Sequence, residues 1–310
     1  MEDYPRTLME LERRFSTEEE CRAYLFALRW PEGFVCPRCR GRQAWRMGRG
    51  LWLCAACRHQ VSVTAGTIFQ DSHLPVTVWL RAVWHVSSPK NGISALGLQR
   101  VLGLGSYKTA WAMLHKLRRA MVRPGRDRLR GIVEVDETYW GGPEGGVVGR
   151  QTEDKALIVV GVEQDPGAAG GIGRIRLRRI PDLTQKALHG FVTQAVEPGS
   201  TVRSDGLPAY RGLEGYVHDR RVQRRQGPGQ YLLPRVHRVV SLLKRWLMGT
   251  HQGAIGPQYL DYYLDEFTFR FNRRTSASRG KLFYRLVQQA VQIDPVPYAT
   301  IIQPQPPGGG

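Results

Sequence analysis

Cys36-Pro-Arg-Cys39 and Cys54-Ala-Ala-Cys57 are two CxxC pairs separated by 14 residues. That spacing lets two tight turns present four thiolates tetrahedrally to one zinc ion. A redox pair would need a surrounding βαβ pattern of thioredoxin type, which the second pair lacks. The remaining Cys21 lies in a helical pattern, Thr17 to Leu28, opened by Ser16 with glutamates in its first turn, and reads as a small buried hydrophobe. A second set of reactive residues is acidic. In Val133-Glu-Val-Asp-Glu-Thr-Tyr-Trp140, strand alternation puts Glu134 and Asp136 on one face and Val133 and Val135 on the other. A carboxylate inside a hydrophobic strand is costly unless something compensates it. Asp205 closes another short strand at an Asp-Gly turn, a place where aspartate also serves purely local hydrogen bonding.

The elements that must position these residues follow from the pattern. An N-terminal helical segment occupies residues 1–30, and a zinc ribbon follows over 31–66, with strand texture around Trp45 and Trp52 in Gln43–Leu53 and again in Val61–Thr64. A ribbon this small has little apolar core, so the metal should contribute on the order of 10 kcal/mol to its folding. Residues 67–124 turn helical. One helix runs from Pro75 to the break at Pro89-Lys-Asn-Gly92, a second covers Ile93–Leu102, and a third, capped by Ser106, repeats apolar residues at Ala110, Met113, Leu114, Leu117 and Met121. Two helices joined at Gly103 and Gly105 form a helix-turn-helix candidate that would aim Tyr107, Lys108 and also Ala112 at a DNA groove. The plainer reading is a helical hairpin with solvated basic residues.

A basic, turn-rich linker, Arg123–Arg130, leads into residues 125–302. There Ile132–Trp140, Ala156–Glu163 and Ile172–Ile180 read as antiparallel strands, Leu183–Val196 as a helix and Thr201–Ser204 as a further strand. The fold class expected is therefore multidomain α/β, with a disordered tail over 303–310. The formal charge of +18 draws polyanions, and nucleic acid is the favoured partner. No run reaches the length of a spanning helix and the first residues show no secretory core, so no membrane partner and a cytoplasmic, nucleoid-associated location are expected.

Read together, Glu134–Gly142, Arg203–Tyr210, Ser241-Leu-Leu-Lys-Arg245, Gly249-Thr-His251 and Tyr263–Arg274 resemble the zinc-ribbon transposases of bacterial insertion sequences, the group called insertion sequence fifteen ninety-five. The resemblance runs from about Ser16 to Arg274. It implies a ribonuclease-H-like catalytic domain, cleavage and strand transfer at terminal inverted repeats, target DNA as second substrate, and homo-oligomers on DNA. By position it makes Asp136 and Asp205 the first and second metal-binding acids. The third position, a glutamate or asparagine in the family, falls on His237, with Glu266 in reserve. Lys244, seven residues on, points the same way along a helix and would contact DNA, as would Arg245 and the pairs Arg220-Arg221 and Arg224-Arg225. The chemistry calls for magnesium or manganese, which take carboxylates, while histidine is a softer ligand that favours manganese. Two rival readings are a decayed, zinc-ribbon DNA-binding protein or repressor, in which His237 marks lost catalysis, and a nuclease that only hydrolyses.

Overall fold

The computed structural model describes residues 2–123, 125–141, 155–165, 167, 170–222 and 231–303. In chain order the elements are α1 (Leu8–Arg14), α2 (Glu18–Arg29), β1 (Ala44–Arg46), β2 (Leu51–Cys54), β3 (Gln60–Ser62), α3 (Val76–Ser87), α4 (Ala95–Leu102) and α5 (Tyr107–Ala120). They continue with β4 (Ile132–Trp140), β5 (Ala156–Gln164), β6 (Ile172–Ile180), α6 (Gln185–Ala195), β7 (Thr201–Ser204), β8 (Val217–Arg220), α7 (Pro234–His251), α8 (Leu260–Phe271), α9 (Arg279–Ala290) and α10 (Tyr298–Ile301). Arg224, Arg225 and residues 304–310, assigned above to phosphate contact and to a tail, lie outside the described residues. Among those described, no helix is long and apolar enough to cross a membrane.

The chain forms two compact units: Met1–Arg123 joins Thr275–Gln303, and Pro124–Arg274 forms the second. In the first unit, α9 packs against α2, α3 and α5. Glu2 makes ion pairs with Lys281 and Arg285, and Phe283 sits among Phe15, Tyr24 and Trp84. Gly280 is needed there, since a Cβ on it would overlap the Pro5 carbonyl oxygen. The α2 cap is Thr17, one residue later than the sequence suggested. Its hydroxyl accepts from Glu20 N–H while the Glu20 carboxylate accepts from Thr17 N–H, a reciprocal pair that fixes the first turn. Helix α4 starts at Ala95, two residues after Ile93, because Ser94 supplies the capping oxygen, and Gly103 ends it in the left-handed conformation. Ser106 occupies the N-cap position of α5 without a side-chain capping bond, and the apolar repeat on α5 is buried as its spacing implied.

The second unit is a three-layer α/β structure. Its sheet has the order β6-β5-β4-β7-β8. The β4–β5 and β5–β6 pairs are antiparallel, whereas β4–β7 and β7–β8 are parallel. Alternation along β4 and β5 sends Val133, Val135, Leu157 and Val159 to the side covered by α6, with Phe191, Val192 and Tyr210. Trp140, Ile158, Val160 and Val162 go to the side covered by α7 and α8, with Val236, Val239, Leu243, Phe267 and Phe271. Substituting Gly280→Ala should destabilise the first unit by about 1–3 kcal/mol through overpacking, read by chemical denaturation. Unchanged stability would mean that the N-terminal segment does not dock on α9.

Candidate functional site

Two backbone knuckles build the cysteine site. Cys36 N–H donates to Gly41 O and Cys54 N–H to His59 O, each at 2.9 Å, and Arg40 and Arg58 adopt φ 64° and 60° at equivalent places after each pair. The four Sγ atoms lie within 4.8 Å of one another, with Cys36–Cys57 at 3.7 Å and Cys39–Cys54 at 3.5 Å. A ZnS4 tetrahedron with bonds of about 2.3 Å has edges of about 3.8 Å, so the thiols stand at the spacing zinc requires. Burial alone would push the Cys36 thiol up, but the backbone N–H groups of Cys39 and Arg38 outweigh it and hold it at about 7, which favours the thiolate that binds metal. None of the four is in a disulfide. Trp45, on β1, is exposed under the Arg58 guanidinium, while Trp52 stacks on Phe26 of α2.

The acids of the second unit gather at the β4–β7 junction. The parallel ladder pairs Ile132 with Thr201, Val133 with Val202 and Glu134 with Arg203. Carried two residues further, the same register sets Asp136 opposite Asp205, just past the end of β7 and on the same face of the sheet. Both side chains are half-buried. Each carboxylate is also oriented locally: Asp136 Oδ1 accepts from Glu137 N–H and Asp205 Oδ1 from Leu207 N–H, both at 2.9 Å. Behind them, on the α6 side, the fully buried Tyr210 donates its hydroxyl to Glu137 Oε1. Burial, followed by the carboxylates of Glu137, Asp136 and Asp205, holds the Tyr210 pKa well above its usual value.

Glu134, fully buried on the α7 side, has the compensation its position demanded. Its Oε2 accepts from the Arg235 and Val236 backbone N–H groups at 2.8 and 3.1 Å, and its Oε1 pairs with the Arg235 guanidinium at 2.7 Å. Glu134 therefore caps α7, whose first turn offers unpaired N–H groups and the positive end of the helix dipole. His237 follows in that same turn. It is exposed, its ring 4.4 Å from that of Tyr231, and Lys244 and Arg245 are exposed further along the helix. Glu266 is fully buried on α8, so the surface position that its helix could have given it is not what the fold provides. Helix α8 packs along β6, two strands or about 10 Å from β4. Among the described residues the four cysteines are the single group of three or more such ligands within 4.8 Å, so Asp136, Asp205 and His237 are not drawn up to that spacing. Arg220 donates to Gly206 O and Arg221 pairs with Asp219. Tyr107 and Lys108 are exposed in the first turn of α5, and Ala112 is half-buried.

Sequence reasoning missed Glu134 as a helix cap and Tyr210 as a partner of Glu137. Both residues stand inside the motifs already singled out, but the partners come from distant segments and no local spacing announces them.

Comparison with known proteins adds the following. Residues 128–272 match the family described as the ISXO2-like transposase domain, and residues 16–60 match the transposase zinc-ribbon domain. A protein of Halobacterium salinarum, described as an uncharacterised protein in transposable element ISH50, is 26% identical over 285 residues, covering 83% of this chain and 92% of its own. A chain in the cryo-electron microscopy structure of a simian T-cell lymphotropic virus intasome with the PP2A regulatory subunit B56 gamma covers 66% of this chain and 72% of its own at 15% identity. Its TM-score is 0.30, too low for the likeness to bear on fold.

Replacing Glu134 by Ala should cost about 3–5 kcal/mol, because it leaves the Arg235 charge and two helix N–H groups without their acceptor, and denaturant unfolding would reveal it. A loss below 1 kcal/mol would mean that Glu134 does not hold α7. Stripping the protein with a chelator should release one zinc per chain and unfold the ribbon, seen as increased exposure of Trp52 by fluorescence quenching. A ribbon that keeps its Trp52 environment without metal would contradict the zinc assignment.

Proposed function

Because the chain belongs to the insertion-sequence transposase family whose zinc-ribbon and catalytic domains it carries, we propose that it binds the terminal inverted repeats of its element and catalyses cleavage and strand transfer there. The observation that carries this reading is the β4–β7 register, whose last pair is Glu134–Arg203 and whose extension by two residues would set Asp136 opposite Asp205 on one side of the sheet. The strand order, three antiparallel strands followed by two parallel ones, supports a ribonuclease-H-like domain.

The donor set fits a hard cation: two half-buried carboxylates, one on β4 and one just past the end of β7. Magnesium or manganese held there would supply Lewis acidity to the attacking and leaving oxygens of a phosphodiester. Asp136 and Asp205 would hold the ion; water would attack the phosphorus at the element end with the 3′-oxygen leaving as a hydroxyl, and that 3′-hydroxyl would then attack a target phosphorus at the same site, breaking the target's P–O3′ bond and releasing the target 3′-hydroxyl. His237 is the third position. Its helix starts against Glu134, two residues from Asp136 on the same strand face, whereas Glu266 sits on the helix over β6. Lys244, Arg245, Arg220 and Arg221 neutralise phosphates. Helices α4 and α5 act as a helix-turn-helix, with Tyr107 and Lys108 toward the groove. Joining two ends calls for a homo-oligomer on DNA, and the protein works at the nucleoid in the cytoplasm.

A second reading has its own observation: His237 stands where the family has glutamate or asparagine, and its ring lies against Tyr231, which fits a chain that binds DNA and no longer cuts it. Strand-transfer assays on end-repeat DNA separate the two. Active wild type, with Asp136→Asn and Asp205→Asn each inactive yet binding DNA with unchanged affinity, supports the enzyme. Activity in either variant overturns the site, and specific binding by an inert wild type selects the second reading. His237→Ala should lower activity more than Glu266→Ala, and more in manganese than in magnesium. The reverse order would assign the third position to Glu266.

A further inference from the structure

Asp205 stands one residue past β7 and two past the last β4–β7 pair, so the sheet's hydrogen bonds do not by themselves fix where its carboxylate stands relative to Asp136. Something else has to hold it, because a displacement of about 1 Å is enough to spoil a catalytic constellation. The chain after Asp205 turns at once. Asp205 Oδ1 accepts from Leu207 N–H, and Pro208–Tyr210 form a single 3-10 turn. That turn drives the Tyr210 ring into the α6-side core, where it is fully buried against Val133, Val135 and Val202. Its hydroxyl emerges at Glu137.

Glu137 is the residue after Asp136, and alternation sends it through the sheet to the face opposite the aspartates. It is thereby removed from the candidate metal site, but its own N–H donates to Asp136 Oδ1. The Tyr210–Glu137 bond therefore joins the loop that bears Asp205 to the peptide unit that orients Asp136. The strand end is tied on the same side as well, with Ser204 Oγ 2.8 Å from His218 Nε2 of β8. An apolar pair would pack this core without desolvating a hydroxyl and a carboxylate. The polar pair is accounted for by the geometry it fixes. We infer that Tyr210 and Glu137 are positioning residues, a clamp on the far face of the sheet that sets the separation of Asp136 and Asp205 and so the affinity for the divalent ion between them. This inference rests on the metal-site reading above.

Manganese binding, followed by electron paramagnetic resonance on the protein bound to its end-repeat DNA, tests it without turnover. Tyr210→Phe should weaken manganese affinity 10–100-fold, the range seen when an outer-shell partner of a ligand is removed. Its melting temperature and DNA affinity should stay near wild type. Glu137→Gln keeps an oxygen that accepts the tyrosine hydroxyl and should bind manganese within about threefold of wild type, whereas Glu137→Met should behave as Tyr210→Phe. The comparison of Gln with Met carries the test even if Tyr210→Phe fails to fold. Equal manganese affinity in Glu137→Gln, Glu137→Met and Tyr210→Phe overturns the clamp. Manganese affinity undiminished in an Asp136→Asn, Asp205→Asn double variant overturns the site itself, which distinguishes the two failures.

Discussion

Extended two residues beyond its last pair, the parallel β4–β7 register sets Asp136 opposite Asp205, an arrangement of like charges that a sheet selected for stability alone would avoid. Directly opposed like charges cost about 0.2–1 kcal/mol relative to a neutral pair, and partial burial raises that cost by weakening the screening. The fold holds the pair: each carboxylate accepts a backbone N–H at 2.9 Å, and Tyr210 and Glu137 buttress the junction from behind. A mutual repulsion kept in place by the fold is a standing attraction for a cation.

The strand that carries Asp136 also fixes the helix beside it. Glu134 lies on the same face, and its carboxylate takes two N–H groups and the guanidinium at the start of α7. One nine-residue strand thus contributes a candidate metal ligand, the cap of the helix that bears His237, and through Glu137 the anchor of the loop that bears Asp205. Val133 and Val135 between them fill the α6-side core. Such a strand leaves little freedom for substitution on either face. The ribbon in the other unit uses a different economy, four thiols in place of an apolar core.

What could be read in the sequence was whatever depends on short-range spacing. The CxxC pairs, the extents of β4, β6 and β7, the buried apolar repeat of α5 and the burial of Cys21 all follow from residues within a turn or two of each other. Helix starts shifted by a residue or more, because Ser16 and Thr17 compete for the α2 cap and the Ser94 cap sets the start of α4 after the apolar Ile93. The Gln43–Leu53 segment is two strands around a tight turn at Gly48–Gly50, where a positive φ at Gly50 reverses the chain. Long-range pairing was not legible. The return of α9 to the N-terminal unit depends on Gly280 meeting Pro5, and the bonds from Glu134 to Arg235 and from Tyr210 to Glu137 each join segments far apart in the chain. Even the opposition of Asp136 and Asp205 is a matter of register, which neither strand specifies alone. The burial of Glu266 likewise depends on which side of α8 meets the sheet.

Anomalous diffraction from crystals soaked in manganese tests the central claim most directly. The account predicts a manganese peak in contact with a carboxylate oxygen of Asp136 and one of Asp205, lost in crystals of Asp136→Asn. A peak bound elsewhere, or well-ordered aspartates with no manganese between them at millimolar concentration, would contradict it.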